Sequence, residues 1–202
     1  MGPNEKALQK AFAQARNERD IQPILKKKQL IVRNALNVSA WNHVEVMSEF
    51  RFGSEFRADF LILSADSGSW HAVFIELKSH RVRAFTKAGV PTRSLSVALK
   101  QLDDWERWVD RFNANFRDTL SRNIKDKNIP AYCSRADRHT TAITEIVDPR
   151  VNIHTHYRVV IGRRDYLTAD DQERRASYLK KGREIVTYDR LLDSARKLDS
   201  AR

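Results

Sequence analysis

Two apolar runs of strand length, each beside an acidic residue, constrain this chain most. Phe60-Leu61-Ile62-Leu63 follows Asp59, and Val73-Phe74-Ile75-Glu76-Leu77 ends on Lys78. Apolar runs this short, closed off by turn-formers, read as strands buried in a core rather than as helices. Asp66-Ser67-Gly68-Ser69 lies between them and is a strong turn signal. Upstream, Val44, Val46, Phe50 and Phe52 alternate with polar residues, and Gly53-Ser54 supplies a second turn. The three runs predict an antiparallel meander.

The rest of the chain supplies helices to cover that sheet. Leu8, Ala11, Phe12 and Ala15 predict a helix from Glu5 to about Arg16. Ile21, Ile24 and Leu25 predict a second from about Asp20 to Ile31, with Asp20 as N-cap and Pro23 in the first turn. Leu95, Ala98, Leu99, Leu102, Trp105, Val109, Phe112 and Phe116 recur by threes and fours, which predicts one long amphipathic helix on the sheet. Trp105 and Trp108 read as its packing residues. Residues 118–150 are polar and read as an irregular insertion. Tyr157 to Ile161 is strand-like, Thr168-Ala169-Asp170-Asp171 is a capped helix start, Glu184 to Tyr188 is strand-like, and Arg190 to Leu198 is a closing helix. Strand-helix-strand predicts a parallel pair with a right-handed crossover. The expectation is an α/β fold. Its mixed sheet joins an antiparallel meander to a βαβ unit, flanked by helices. Residues 1–15 form a helical extension and 16–202 one domain.

Charge narrows the partners. Lys and Arg number 37 against 26 Asp and Glu, a formal net charge of +11. Such an excess points to a polyanion, with nucleic acid as the default. A membrane surface is the rival, but no basic amphipathic helix with an aromatic face occurs, and no apolar run approaches the ~18 residues of a span. The N-terminal MGPNEKALQK lacks the apolar core of a signal peptide, so a cytoplasmic chain is expected. Cys133 is the single cysteine, which excludes an intramolecular disulfide and a cysteine-based zinc site; it reads as a small apolar filler. His154 and His156 alternate on a strand, with His71 near the sheet end, but zinc would need further ligands. No phosphate-cradling glycine loop and no nucleophile elbow is present, so no nucleotide cofactor is expected.

The residues carrying chemistry are set by strand geometry. Side chains two apart share a face, so Glu76 and Lys78 point together while Val73, Ile75 and Leu77 point into a core. Antiparallel pairing can bring Asp59 beside Glu76. Two carboxylates and an ammonium suit metal-assisted phosphodiester hydrolysis. Asp59, Glu76 and the Leu77 carbonyl would hold Mg²⁺ or Mn²⁺, and Lys78 would orient water or stabilise charge on phosphorus oxygens. The same Glu-X-Lys pattern also occurs on ordinary solvated strands. From Leu77 to Leu102 there is no acid, while Lys78, Arg81, Arg83, Lys87, Arg93 and Lys100 are all basic. That stretch would track a phosphate backbone. His80, Arg163 and Arg164 are further candidates for DNA contact.

Arg57-Ala58-Asp59-Phe60-Leu61 with Val73-Phe74-Ile75-Glu76-Leu77-Lys78 resembles the PD-(D/E)XK nuclease superfamily, with alanine where that motif often has proline. Gln101-Leu102-Asp103-Asp104-Trp105 resembles the Gln-X-X-X-Tyr element of its RecB-like branch. Together with Glu18-Arg19-Asp20-Ile21-Gln22-Pro23-Ile24-Leu25, Val159 to Arg164 and Ile185 to Asp189, the chain is similar to the Shedu family of anti-phage nucleases over roughly residues 15–195. The resemblance implies a restriction-endonuclease-like core and metal-dependent DNA cleavage in phage defence. It makes Asp59, Glu76 and Lys78 catalytic and Gln101 an assisting residue. Glu18 is a candidate further metal ligand, and reads equally as an exposed helix charge. A restriction- or repair-type nuclease, an inactive DNA-binding module and a basic protein scaffold are the alternatives. Cutting both strands of a duplex would call for a homo-oligomer.

Overall fold

The computed structural model describes residues 1–38, 43–65, 69–125, 131–133 and 144–201. Among them run α1 (Pro3–Gln14), α2 (Glu18–Lys27), α3 (Gln29–Leu36), β1 (His43–Phe52), β2 (Phe56–Ala65), β3 (Ser69–Leu77), α4 (Arg93–Arg111) and α5 (Asn113–Ile124). Next come β4 (Ala131–Cys133), a short helix α6 over residues 144–147, β5 (Asn152–Val160), α7 (Ala169–Lys180), β6 (Arg183–Val186) and α8 (Asp189–Ser200). The strand order in the sheet is β4-β1-β2-β3-β5-β6. The fold is α/β with a mixed sheet flanked by helices. The turn expected at Asp66-Ser67-Gly68 and the side chain of Cys133 lie outside the described residues.

The chain divides into two compact units. The first comprises Met1–Leu36, Ile75–Leu102 and Tyr157–Arg202. It contains the expected βαβ crossover: β5 and β6 pair in parallel, Tyr157 opposite Arg183 and Val160 opposite Val186. Thr168 caps α7 as the sequence indicates, its hydroxyl accepting from Asp171 N–H while the Asp171 carboxylate accepts from Thr168 N–H. Arg158 is buried and ties three elements together. It donates to the Leu36 carbonyl at the end of α3 and pairs with Glu184 of β6. Burial pushes this guanidinium down to about 10, with Glu184 opposing the shift.

The expected second helix is two helices. Asn17, not Asp20, is the N-cap; Asp20 is the N3 partner whose carboxylate returns to the Asn17 N–H. The helix therefore starts earlier than predicted, and Pro23 lies inside α2 rather than in its first turn. α2 ends at Lys28, with φ −119° and ψ 51°, and the chain restarts as α3, Ile31 N–H bonding the Lys28 carbonyl.

The second unit comprises Asn37–Phe74 and Asp103–His156. β1 pairs antiparallel with β2 and with β4. An aromatic cluster of Phe50, Phe52, Phe74, Trp105 and Phe116 forms its core, with ring centroids 5.2–6.4 Å apart. Trp108 packs against Phe52, so both tryptophans are packing residues. The long helix expected through Phe116 breaks at Phe112, where φ is −120° and ψ 42°. The break lets α5 turn Phe116, Leu120 and Ile124 inward on its own axis. Residues 118–124, read from sequence as irregular, thus belong to a packed helix. Buried Arg117 of α5 ties the stretch from α6 to β5 to this helix by donating to the carbonyls of Ile146, Asp148 and Val151.

Candidate functional site

Glu76 sits near the end of β3 and is 7% exposed. The strand buries residues on both faces there, Phe74 and Ile75 being fully enclosed, so a carboxylate needs partners. It has two. Lys78 Nζ donates to Oε1 at 2.7 Å, and Gln101 Nε2 of α4 donates to Oε2 at 3.2 Å. Lys78 is itself fixed by its backbone, whose N–H bonds the Val160 carbonyl of β5 at 2.8 Å. Lys78 also lines a cleft of about 450 Å³ together with Glu18, Arg93, Ser94 and Val97. The first unit thus brings Glu18, Glu76, Lys78, Arg93 and Gln101 into one neighbourhood.

Ser94 and Val97 are lining residues that sequence reasoning missed. Their signal was available: counted back from Gln101 by four and seven along a helix, both fall on its face.

Asp59 lies on β2 in the second unit, half-buried between Ala58 and Phe60, whose partners on β1 are Phe50 and Ser48. Glu49, between those two partners, has φ +52°, the only non-glycine residue with positive φ among the described residues. Its carboxylate pairs with Arg57 at 3.4 Å.

The basic candidates separate into two classes. Arg163 is held by Asp189 through two nitrogens, at 2.8 and 3.1 Å, and Arg164 pairs with Asp193 at 2.5 Å. Burial acts to raise Asp189, but its bonds from Arg163 and Arg164 hold the carboxyl below the usual range. Both arginines therefore have matched charges. Arg81 donates to the Ala13 carbonyl at 3.3 Å. Arg83, Lys87 and Arg93 are exposed, and no carboxylate pairs with them among the described residues. Lys100 is exposed on α4.

His80, expected as a surface neighbour of DNA, is instead an interior residue, 4% exposed. Its ring stacks on Phe12, meets the edge of Tyr188, and bonds the Phe12 carbonyl through Nε2 at 3.0 Å. Burial lowers its pKa below the ordinary histidine value. In the second unit His71 stacks on both His154 and His156, with His71 Nδ1 3.0 Å from His156 Nε2. Among the described residues no three His, Cys, Asp or Glu side chains are gathered as a metal-holding group. No helix is long and apolar enough to cross a membrane among the described residues.

The family model for the C-terminal part of Shedu protein SduA matches residues 15–192. The chain belongs to the Shedu family. No curated protein matches it. The Shedu match begins at the end of α1 and reaches into α8, so it takes in every residue of the Glu76 neighbourhood described above.

Proposed function

We propose that this Shedu chain is a divalent-metal-dependent endonuclease that hydrolyses DNA phosphodiester bonds in anti-phage defence. The observation that carries the reading is the Glu76 carboxylate, nearly buried, held by Lys78 on one oxygen and Gln101 on the other beside a cleft containing Glu18. A nearly buried carboxylate beside a lysine at an open cleft is poised for charge chemistry. Family membership suggests the defence role.

The donors fit magnesium in kind: Mg²⁺ takes one or two carboxylates, keeps several waters and completes its shell with substrate phosphate, so a three-residue cage is not required. Glu76, the Leu77 carbonyl and Asp59 would hold it, with Glu18 a further candidate; Asp59 enters this set from the sequence motif. When bound, the ion supplies Lewis-acid polarisation of the phosphate and a water of lowered pKa. Lys78 orients the attacking water and neutralises charge on the phosphorus oxygens. Gln101 fixes the rotamer of Glu76 by holding Oε2. Arg83, Lys87 and Arg93, which form no ion pair among the described residues, meet backbone phosphates.

The test is cleavage of supercoiled and linear DNA by the purified chain with Mg²⁺, with Mn²⁺ and with EDTA, beside Lys78→Ala. Metal-dependent nicking lost in the variant is the expected result. Equal nicking by both proteins would sink the assignment.

A further inference from the structure

The segment that leaves β3 is a hairpin built to present its tip. Thr86 N–H bonds the Val90 carbonyl at 2.8 Å, Thr92 N–H bonds the Ala84 carbonyl at 2.9 Å, and Phe85 and Pro91 form an antiparallel bridge. The Thr92 hydroxyl closes the base, donating to the Arg83 carbonyl at 2.9 Å. The hairpin is also anchored from beneath. Phe85 is buried, its ring 6.2 Å from that of Tyr178 on α7. Gly89 has φ +78° at a close approach where a Cβ would strike the Arg174 guanidinium. These contacts leave Arg83, Lys87 and Val90 exposed.

The exposed residues of the hairpin are cationic and apolar together. Arg83 and Lys87 are exposed without carboxylate partners among the described residues, although Arg163, Arg164, Arg174, Arg190 and Arg196 of the same unit are all paired. Val90, beside them at the tip, is 55% exposed. A fixed ribbon with unneutralised cations flanking an exposed aliphatic side chain is complementary to a groove walled by phosphates and floored by base edges. The major groove, ~12 Å wide, admits a two-stranded ribbon and offers the thymine methyl as an apolar contact.

We propose that the Arg83–Thr92 hairpin seats in the major groove of duplex DNA, with Arg83 and Lys87 on backbone phosphates and Val90 against base edges. The partner class rests on the nuclease reading; the seating does not follow from it.

The experiment is fluorescence anisotropy of a labelled mixed-sequence duplex with the full chain in EDTA, so that binding is read without cutting. Arg83→Ala and Lys87→Ala should each weaken binding about fivefold and make the log–log salt dependence shallower by about 0.9. Replacing thymine by uracil should weaken wild-type binding severalfold and leave Val90→Ser indifferent. All three substitutions are at the surface, and a thermal melt of each variant checks that it folds. Two results overturn the proposal: wild-type affinity in all three variants, or equal sensitivity of wild type and Val90→Ser to the missing methyl. Should wild type still nick DNA with Mg²⁺ in either case, the seating falls while the nuclease reading stands. Hairpin-dependent binding without metal-dependent nicking reverses that outcome.

Discussion

Lys78 and Glu76 lie two residues apart at the end of β3, ammonium against carboxylate at 2.7 Å, both largely withdrawn from water. Removing one partner leaves the other charge enclosed, so Lys78→Ala should cost about 1–3 kcal/mol in stability as well as DNA cleavage. Cleavage should fall by about a hundredfold or more if Lys78 stabilises developing charge. Gln101→Ala, which removes its bond to Glu76 Oε2, should instead raise the Mg²⁺ concentration required by roughly tenfold with less effect on the saturated rate. Metal titrations of nicking rate separate the two.

His80 makes stability depend on pH near neutrality. Burial lowers its folded pKa below the ordinary 6.5. The folded state then binds fewer protons than the unfolded chain once the pH drops beneath that value. Stability is full above about pH 6.5 and should decline as pH falls through the folded pKa. His80→Gln, which cannot titrate, should lose this slope while melting lower overall at pH 7. Urea unfolding between pH 5 and 8 reads it.

Arg158 is the most deeply committed charge in the βαβ half. Its guanidinium satisfies the end of α3 through the Leu36 carbonyl and neutralises Glu184. Arg158→Ala should destabilise by roughly 3 kcal/mol. Arg158→Lys should recover only part, because a single ammonium cannot reach both partners with a planar fork. Chemical denaturation at pH 7 measures both.

The two ends of the chain are joined by a cap. Gly2 gives α1 no side-chain cap, and Asp199 of α8 supplies one, accepting from Asn4 N–H at 3.1 Å and Glu5 N–H at 3.0 Å. Asp199→Ala should cost about 1 kcal/mol, and Asp199→Asn less, since the amide oxygen still accepts. Hydrogen exchange in the first turn of α1 should rise before any change at the core of the sheet.

Local signals carried far where a short-range rule governs. The β1 strand, the Thr168 cap and the parallel β5–β6 pair were legible because strand propensity, capping and strand-helix-strand order act over a few residues or one unit, although β1 buries Glu45 and Met47 as well as Val44 and Val46. Errors arose where two local readings competed. Asp20 resembles an N-cap, yet Asn17 stands three residues earlier and makes Asp20 the reciprocal partner. The run from Leu95 to Phe116 keeps one helical period in sequence, yet Phe112 leaves the helix so that α5 can pack independently.

By itself the sequence determined the α/β order of elements, the basic excess and the Glu76-X-Lys78 pair on one strand face. Only the tertiary structure decided which cations are spent. Asp189 and Asp193 of α8 neutralise Arg163 and Arg164, while Arg83, Lys87 and Arg93 form no ion pair among the described residues. It also enclosed His80 between Phe12 and Tyr188, and set Gln101 on Glu76. Charge count and period are properties of a chain read in order. Pairing and burial depend on which distant segments share a few ångströms of space, and that is fixed when helices from both ends of the chain close on the βαβ unit.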